Sequence, residues 1–534
     1  MRPTWLGAAA TAVLMASACS AGTTATGDTP AAPGYAAVAD KALPAGGTLK
    51  LQTHVDIGAA TGLDPQMADV ASSWQLLSLV YETLVTVGPD FEVRPGLAAS
   101  WRTPDPTTYE FTLRDGVAFS NGRAMTADDV VGSLERLLAS KSVWRGQLGP
   151  VKSVAKTGPL DVEVKLSAPY GPFLTALANV PAAVLPMKEI KDGSVKPETA
   201  MLGTGPFTVA AHRQDVSWSF KRNARYWAKG KPAVDGVEVT IAAEENARVA
   251  ALQNGGAAMA TLGNVDSRAT LAGAANVKVV TQATTDFYYL MLNTKKAGSP
   301  FADPRVRQAV NMALNRQQVS DVALGGQGKP TTVTPAGLPG ACDPAAMPSA
   351  KAGVAQAKTL LAQAGVRNPT FTLSIYSTQP APAVAQVIQQ NLQQIGVTVK
   401  IEQMDEASWG GKVYTPKPTF DAALSWFAGY ADPAMVMRWW NPEQGGFNAA
   451  FMKPDPDLDK LIDTAGRQPK GRERDEVLRA VCAKADQDAQ MIPLVTRPAT
   501  TAYRTDSVSP TFYSVEGYGN PLRFLADLRM KKAQ

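Results

Sequence analysis

Apolar residues along this chain switch repeatedly between a period of two and a period near that of a helix, the mark of strands alternating with helices. Leu49 and Leu51 alternate within 48–53, Tyr109, Phe111 and Leu113 within 108–114, and Val162, Val164 and Leu166 follow. Each predicts a half-buried strand. Residues 207–211, 216–221 and 237–241 read the same way. From 287 to 293 the run Phe-Tyr-Tyr-Leu-Met-Leu is apolar at nearly every position, which predicts a strand buried on both faces. Helical spacing enters at Val130, Val131, Leu134, Leu137 and Leu138, behind Thr126 and Asp129, which form a capping-box-like start. Asp303-Pro304 opens another helix, with Val306, Ala309, Val310, Ala313 and Leu314 as its buried stripe. Phe371, Leu373 and Ile375 alternate; Val384, Ile388, Leu392 and Ile395 repeat at helical spacing; Gly396 stops that helix; Val397, Val399 and Ile401 alternate again. Strand, helix and strand in that order predict a βαβ unit. The chain reads as α/β throughout, without the internal repeat of a solenoid.

The pattern before the first strand is different. Residues 5–18 form a short apolar run behind Arg2, ending in Ala16-Ser17-Ala18 and then Cys19. Such a run is too short for a permanent span and has the anatomy of a secretory signal. A cysteine at the cleavage point, followed by Ser20-Ala21-Gly22-Thr23-Thr24, resembles a bacterial lipoprotein signal, in which that cysteine becomes the lipidated N-terminus. Ala16 stands where that signal usually has Leu, and the alternative is a plain signal peptide with an incidental cysteine. Residues 19–47, rich in Ala, Thr, Gly and Pro, read as a flexible tether. The expectation is a signal peptide at 1–18, lipid on Cys19, and a chain held at the extracytoplasmic face of the cell membrane.

A chain of 534 residues is too long for one small core and calls for two or more lobes. Its 52 Lys and Arg nearly balance 47 Asp and Glu and are scattered, so nucleic-acid binding has little support. With Cys19 assigned to lipid, Cys342 and Cys482 remain, either as a disulfide in an oxidising compartment or as two buried thiols. The two histidines, His54 and His212, are far apart, and no zinc-protease, nucleophile-elbow or phosphate-loop motif occurs. No enzyme activity, cofactor or metal is therefore expected. Asp455, Asp457 and Asp459 have calcium-loop spacing, but Lys460 and Gly466 occupy the positions that need Gly and Glu. An acidic surface turn broken by Pro456 is the better reading. Trp426, Phe427, Tyr430 and Asp432-Pro433 follow the strand-like 420–424, with Trp439-Trp440 soon after. Aromatics at a strand exit suit a ligand cleft or, equally, a core.

Four ordered blocks carry a resemblance. They are LAASWRTPDPTTYEFTLRDGVAFSNGRAMTADDVVGSLERL from Leu97, preceded by Tyr81-Glu82-Thr83-Leu84; GTGPF at 203–207; KRNARYW at 221–227; and FYYLMLNTKKAGSPFADPRVRQAVNMALNR from Phe287. Together they resemble the family 5 extracellular solute-binding proteins, the oligopeptide-, dipeptide- and nickel-binding components of bacterial ABC importers. The resemblance implies a two-lobed periplasmic-binding-protein fold (type II, cluster C-like). Lobe I would cover 48–300 with a subdomain of about 91–200 inserted, lobe II 301–499, and residues 500–534 would return to lobe I. It implies a monomer that captures a peptide or peptide-like solute between its lobes and delivers it to the permease transmembrane subunits. The alternatives are a metal chelate, haem, glutathione, sugar or opine as ligand, or a regulatory envelope lipoprotein on the same fold. Ligand contacts are implied for Trp426, Phe427, Gly429, Tyr430, Asp432, His54 and Tyr289. Trp426 matches the family's tryptophan, but Gly429 stands where peptide-binding members place the aspartate that holds the ligand's ammonium. Either another acid, such as Asp56, Asp64 or Glu82, takes that role, or the ligand lacks a free amine there. Asp432 could instead cap the helix that Pro433 opens.

Overall fold

Two sheets organise the chain in the computed structural model, which describes residues 34–58, 62–68, 73–427, 429–516, 522 and 525–531. Cys19, the signal and most of the tether lie outside those residues. The first sheet has eight strands in the order Val515–Glu516, Val277–Thr284, Ala499–Arg504, Met259–Leu262, Thr48–Thr53, Gly236–Ile241, Ser217–Arg222 and Phe207–Arg213. Leu49 and Leu51 point into the core and Lys50 points out, as their alternation requires. The second sheet has five strands in the order Thr398–Met404, Thr370–Tyr376, Ala422–Phe427, Phe287–Leu292 and Met491–Thr496. All six residues of Phe287–Leu292 and of Met491–Thr496 are buried, so these strands are covered on both faces. A separate four-stranded antiparallel sheet, Ala98–Asp105, Thr108–Leu113, Asp161–Leu166 and Val151–Lys156, packs against helix Ala127–Ala139.

Local chemistry sets the element ends. Thr126 and Asp129 close a reciprocal capping box on helix Ala127–Ala139. Asp303 accepts a hydrogen bond from the Arg305 amide at 2.8 Å, and Pro304 sits where no amide is needed. The 370–376 and 398–404 strands are parallel and joined by helix Ala381–Gln393, which the left-handed Gly396 (φ 79°) terminates. Asp455 is not part of an acidic turn. It accepts from the Asp457 and Leu458 amides and starts helix Pro456–Arg467, with the proline at its first position.

The lobe boundary differs from the sequence expectation. Phe287–Leu292 pairs with Ala422–Phe427 and Met491–Thr496, so it belongs to lobe II. The chain therefore leaves lobe I at Thr285-Asp286 instead of near residue 300. It returns at Arg497-Pro498, before strand Ala499–Arg504. Within lobe II, Cys342 and Cys482 are joined by a disulfide, which ties the loop before residue 344 to helix Arg472–Asp488. No helix among the described residues is long and apolar enough to cross a membrane.

Candidate ligand-binding cleft

Strand direction places the cleft. In lobe I the parallel strands Thr48–Thr53, Gly236–Ile241 and Met259–Leu262 all end at one edge of the sheet. In lobe II, Thr370–Tyr376, Thr398–Met404 and Ala422–Phe427 do the same. Both interlobe crossings run between these two carboxyl edges, so the edges face each other, and such edges are where open α/β sheets bind ligands. The crossings lie side by side. The Arg497 amide donates to the Asp286 carbonyl at 2.7 Å, and the Thr284 hydroxyl donates to the Arg497 carbonyl. The Asp286 carboxylate accepts from the Gly429 amide at 2.8 Å and faces the Arg497 guanidinium at 3.6 Å.

Three side chains at this junction are reached by solvent and yet strongly desolvated. His54, the residue after strand Thr48–Thr53, is exposed. Burial, with the fields of Arg497 and Arg248, still lowers its pKa to about 4, so the ring is neutral. Tyr414 is 42% exposed, and burial raises its hydroxyl. The Arg497 side chain is 32% exposed. Burial acts to lower its pKa, but the fields of Tyr288, Asp286 and Tyr376 prevail and raise it. Trp426, half-buried, carries the Arg497 guanidinium over its ring at 4.3 Å. Tyr376, Trp409 and Tyr414 continue the wall edge to face, at 5.6 and 5.1 Å, and the Tyr414 and Ser425 hydroxyls are 2.9 Å apart.

The lobes are closed on each other at both flanks. On one side the Arg268 guanidinium donates to the Leu324 carbonyl at 2.8 Å. On the other, Gln147 donates to the Tyr430 hydroxyl at 2.5 Å, the Gly171 amide to the Gly466 carbonyl at 2.9 Å, and Arg438 to the Gly146 carbonyl.

His54 and Trp426 lie beside Arg497 at the crossings, and the remaining residues implied by the resemblance are engaged within the fold. Phe427 is buried among the rings of Phe287, Trp439 and Tyr430. Tyr289 is buried beneath Tyr414 and Ser425. Tyr430 is buried and serves the lobe contact with Gln147. Asp432 is fully buried, caps helix Pro433–Met437 through the Ala434 amide at 2.9 Å, and pairs with Arg474. Gly429 sits against the hinge itself. A Cβ there would fall deep inside the Thr285 hydroxyl and backbone carbonyl, so the glycine answers a close approach and leaves no room for an aspartate.

The three alternative acids are also committed. Asp56 accepts from the Trp218 indole at 2.6 Å and the Asp215 amide at 2.7 Å, and lies 3.1 Å from the His212 ring, which stacks on Trp218. Asp64 pairs with Arg136 at 2.5 Å. Glu82 accepts from Thr204 and Tyr226 at 2.8 and 3.0 Å and from the Trp227 indole; burial outweighs these bonds and pushes its pKa up to about 7. No group of three or more His, Cys, Asp and Glu among the described residues is placed to hold a metal ion. A cavity of about 510 Å³ lies in lobe II, bordered by Leu314, Arg316, Pro330 and Met347. Its arginine is satisfied by the Pro493 carbonyl at 2.8 Å and Asn311 at 2.6 Å. Sequence reasoning missed Asp286 and Arg497. Their one signal is positional: a charge precedes the apolar run Phe287–Leu292 and an opposite charge follows the apolar run Met491–Thr496.

Comparison with known proteins agrees with the two-lobed fold. The model of bacterial extracellular solute-binding proteins, family 5, matches residues 92–448. The glutathione-binding protein GsiB of Salmonella typhimurium LT2 is 29% identical over 470 residues, covering 83% of this chain and 88% of that protein. The periplasmic binding protein AgaA of A. tumefaciens R10, solved with agropinic acid, superposes with a TM-score of 0.80 at 25% identity, over 91% of this chain and 99% of its own. DppA of Helicobacter pylori, solved with the peptide STSA, gives 0.80 at 24% identity, over 92% and 99%.

Proposed function

The chain belongs to family 5 of the bacterial extracellular solute-binding proteins, and from that premise we propose that it is the receptor of an ABC importer for a small amino-acid-derived solute. The observation that carries the reading is the pair of facing carboxyl edges linked by two adjacent crossings, with His54 of one lobe and Trp426 of the other beside Arg497 at those crossings. Two lobes on so narrow a junction can open to admit a solute and close to bury it. Closure then yields the shape that a permease can distinguish from the empty receptor. Peptides are one ligand class; glutathione and opine-type acids, bound by the relatives named above, are others. The committed state of Asp56, Asp64 and Glu82 and the lack of room at Gly429 favour a ligand that does not rely on an acid at those places for its amine.

The same reading places the receptor on the membrane through lipid on Cys19, with no catalytic step of its own. Thermal melting and calorimetry against tripeptides, their N-acetylated counterparts, glutathione and opine acids test the receptor function. Saturable stabilisation by one class is the expected result, and none across the whole set contradicts it. Fractionation tests the anchor: Cys19→Ala should move the protein from the membrane to the soluble fraction, and retention with unchanged lipid labelling refutes the lipid.

A further inference from the structure

We propose that Arg497 is the carboxylate anchor of the cleft, so that the receptor selects solutes carrying a free carboxylate; the proposal rests on the receptor reading above. Compact ion pairs elsewhere in the chain hold their arginines closely, Arg136–Asp64 at 2.5 Å and Arg307–Asp488 at 3.0 Å. Asp286 lies 3.6 Å from Arg497 and gives its other oxygen to the Gly429 amide. The Arg497 guanidinium lies against the Trp426 ring, which fixes its plane, while a third of the side chain remains open to the cleft. The Tyr288 hydroxyl also bonds to the guanidinium, but the guanidinium's only carboxylate neighbour among the described residues is held at a distance, and a planar donor fork so placed is suited to bidentate recognition of a second carboxylate. Asp286 already offsets part of the positive charge, which favours a monoanion over a doubly charged phosphate.

The surroundings supply the rest of such a site. His54 approaches from lobe I as a neutral ring able to donate or accept. The Tyr376 hydroxyl, on lobe II, lies within the field of Arg497. Arg248 does not compete for the ligand, being tied to the Thr261 and Ala243 carbonyls and to Glu245. Arg497 lies on the crossing itself, next to Pro498, where both lobes meet. An anion seated there would lie between His54 of one lobe and Trp426 of the other, so binding it favours the closed form.

Calorimetry with a mixed tripeptide library and its C-terminally amidated twin, together with glutathione and its diethyl ester, tests the assignment on the chain lacking residues 1–18. Wild type should prefer the acids by at least roughly tenfold, the scale of a charged hydrogen-bonded contact. Arg497→Gln should bring that preference to within about twofold and Arg497→Lys should leave it intermediate, because lysine keeps the charge and loses the fork. The ratio of acid to neutral ligand is the readout, since a purely structural role would weaken both series alike. Equal binding of acids and amides by wild type overturns the anchor while leaving the receptor intact, and requires no variant to fold. An unchanged preference in Arg497→Gln also overturns it. No binding from either series contradicts the receptor reading, and the anchor with it.

Discussion

Replacing Gly429 by alanine puts a Cβ into the Thr285 hydroxyl and carbonyl, at the point where the chain crosses between lobes. Neither neighbour can retreat cheaply. Thr285 lies between Val277–Thr284 and Phe287–Leu292, two strands held in different sheets. Overpacking of this kind costs about 1–3 kcal/mol. Moving residue 429 away also stretches its amide from the Asp286 carboxylate, now 2.8 Å away. Losing a hydrogen bond to a charged group adds about 1.5–3 kcal/mol. A total of about 4 kcal/mol lowers the melting temperature by roughly 10 °C at this lobe size. Gly429→Asp should cost more and should not create an ammonium site. Gly410→Ala, in helix Glu406–Val413 with open space around its Cβ, is the control and should be neutral or slightly stabilising. Melting followed by circular dichroism, with calorimetry on the best ligand, reads both stability and binding. A Gly429→Ala protein that melts within about 1 °C of wild type would refute the close approach argued for this position.

Trp426→Ala removes the ring beneath Arg497 and should weaken ligand binding about 10- to 100-fold with little change in melting; unchanged affinity by calorimetry would take Trp426 off the cleft. Glu82 has a folded pKa of about 7 against an ordinary 4.5, so its contribution to stability is fully present below pH 4.5 and is lost as pH rises through 7. Wild type should therefore lose melting temperature from pH 5 to 8 relative to Glu82→Gln, and parallel curves for the two proteins would contradict the raised pKa. The Cys342–Cys482 bond spans 140 residues, and removing it with paired serines should cost up to about 5 kcal/mol. Alkylation before reduction, read by intact mass, would disprove the bond by labelling both thiols.

Much of the fold is legible because many strands expose one face and several helices are capped by their own sequence. Leu49 and Leu51, the Thr126–Asp129 box and the Gly396 stop all act locally. The lobe boundary was not legible for a physical reason: Phe287–Leu292 is apolar at every position, so its pattern fits either sheet and only pairing with Ala422–Phe427 decides. The cleft shows the same limit more sharply. Trp426 and Phe427 are neighbours on one strand, and successive side chains point to opposite faces, so one meets Arg497 while the other enters the core. Asp432 looks like a ligand carboxylate until the helix it caps and Arg474 are both in place. Asp286 and Arg497 are about 200 residues apart and meet only because their strands run antiparallel side by side.

Small-angle scattering of the chain lacking residues 1–18 tests the central claim most directly. Protein freed of any co-purified solute by unfolding and refolding is measured alone and again with saturating amounts of the tightest ligand found by calorimetry. A receptor that closes on its solute predicts a larger radius of gyration without ligand, and a ligand-bound curve that matches the closed lobes described above. Identical curves in the two states, with stoichiometric binding shown on the same samples, would contradict closure about the Asp286 and Arg497 crossings.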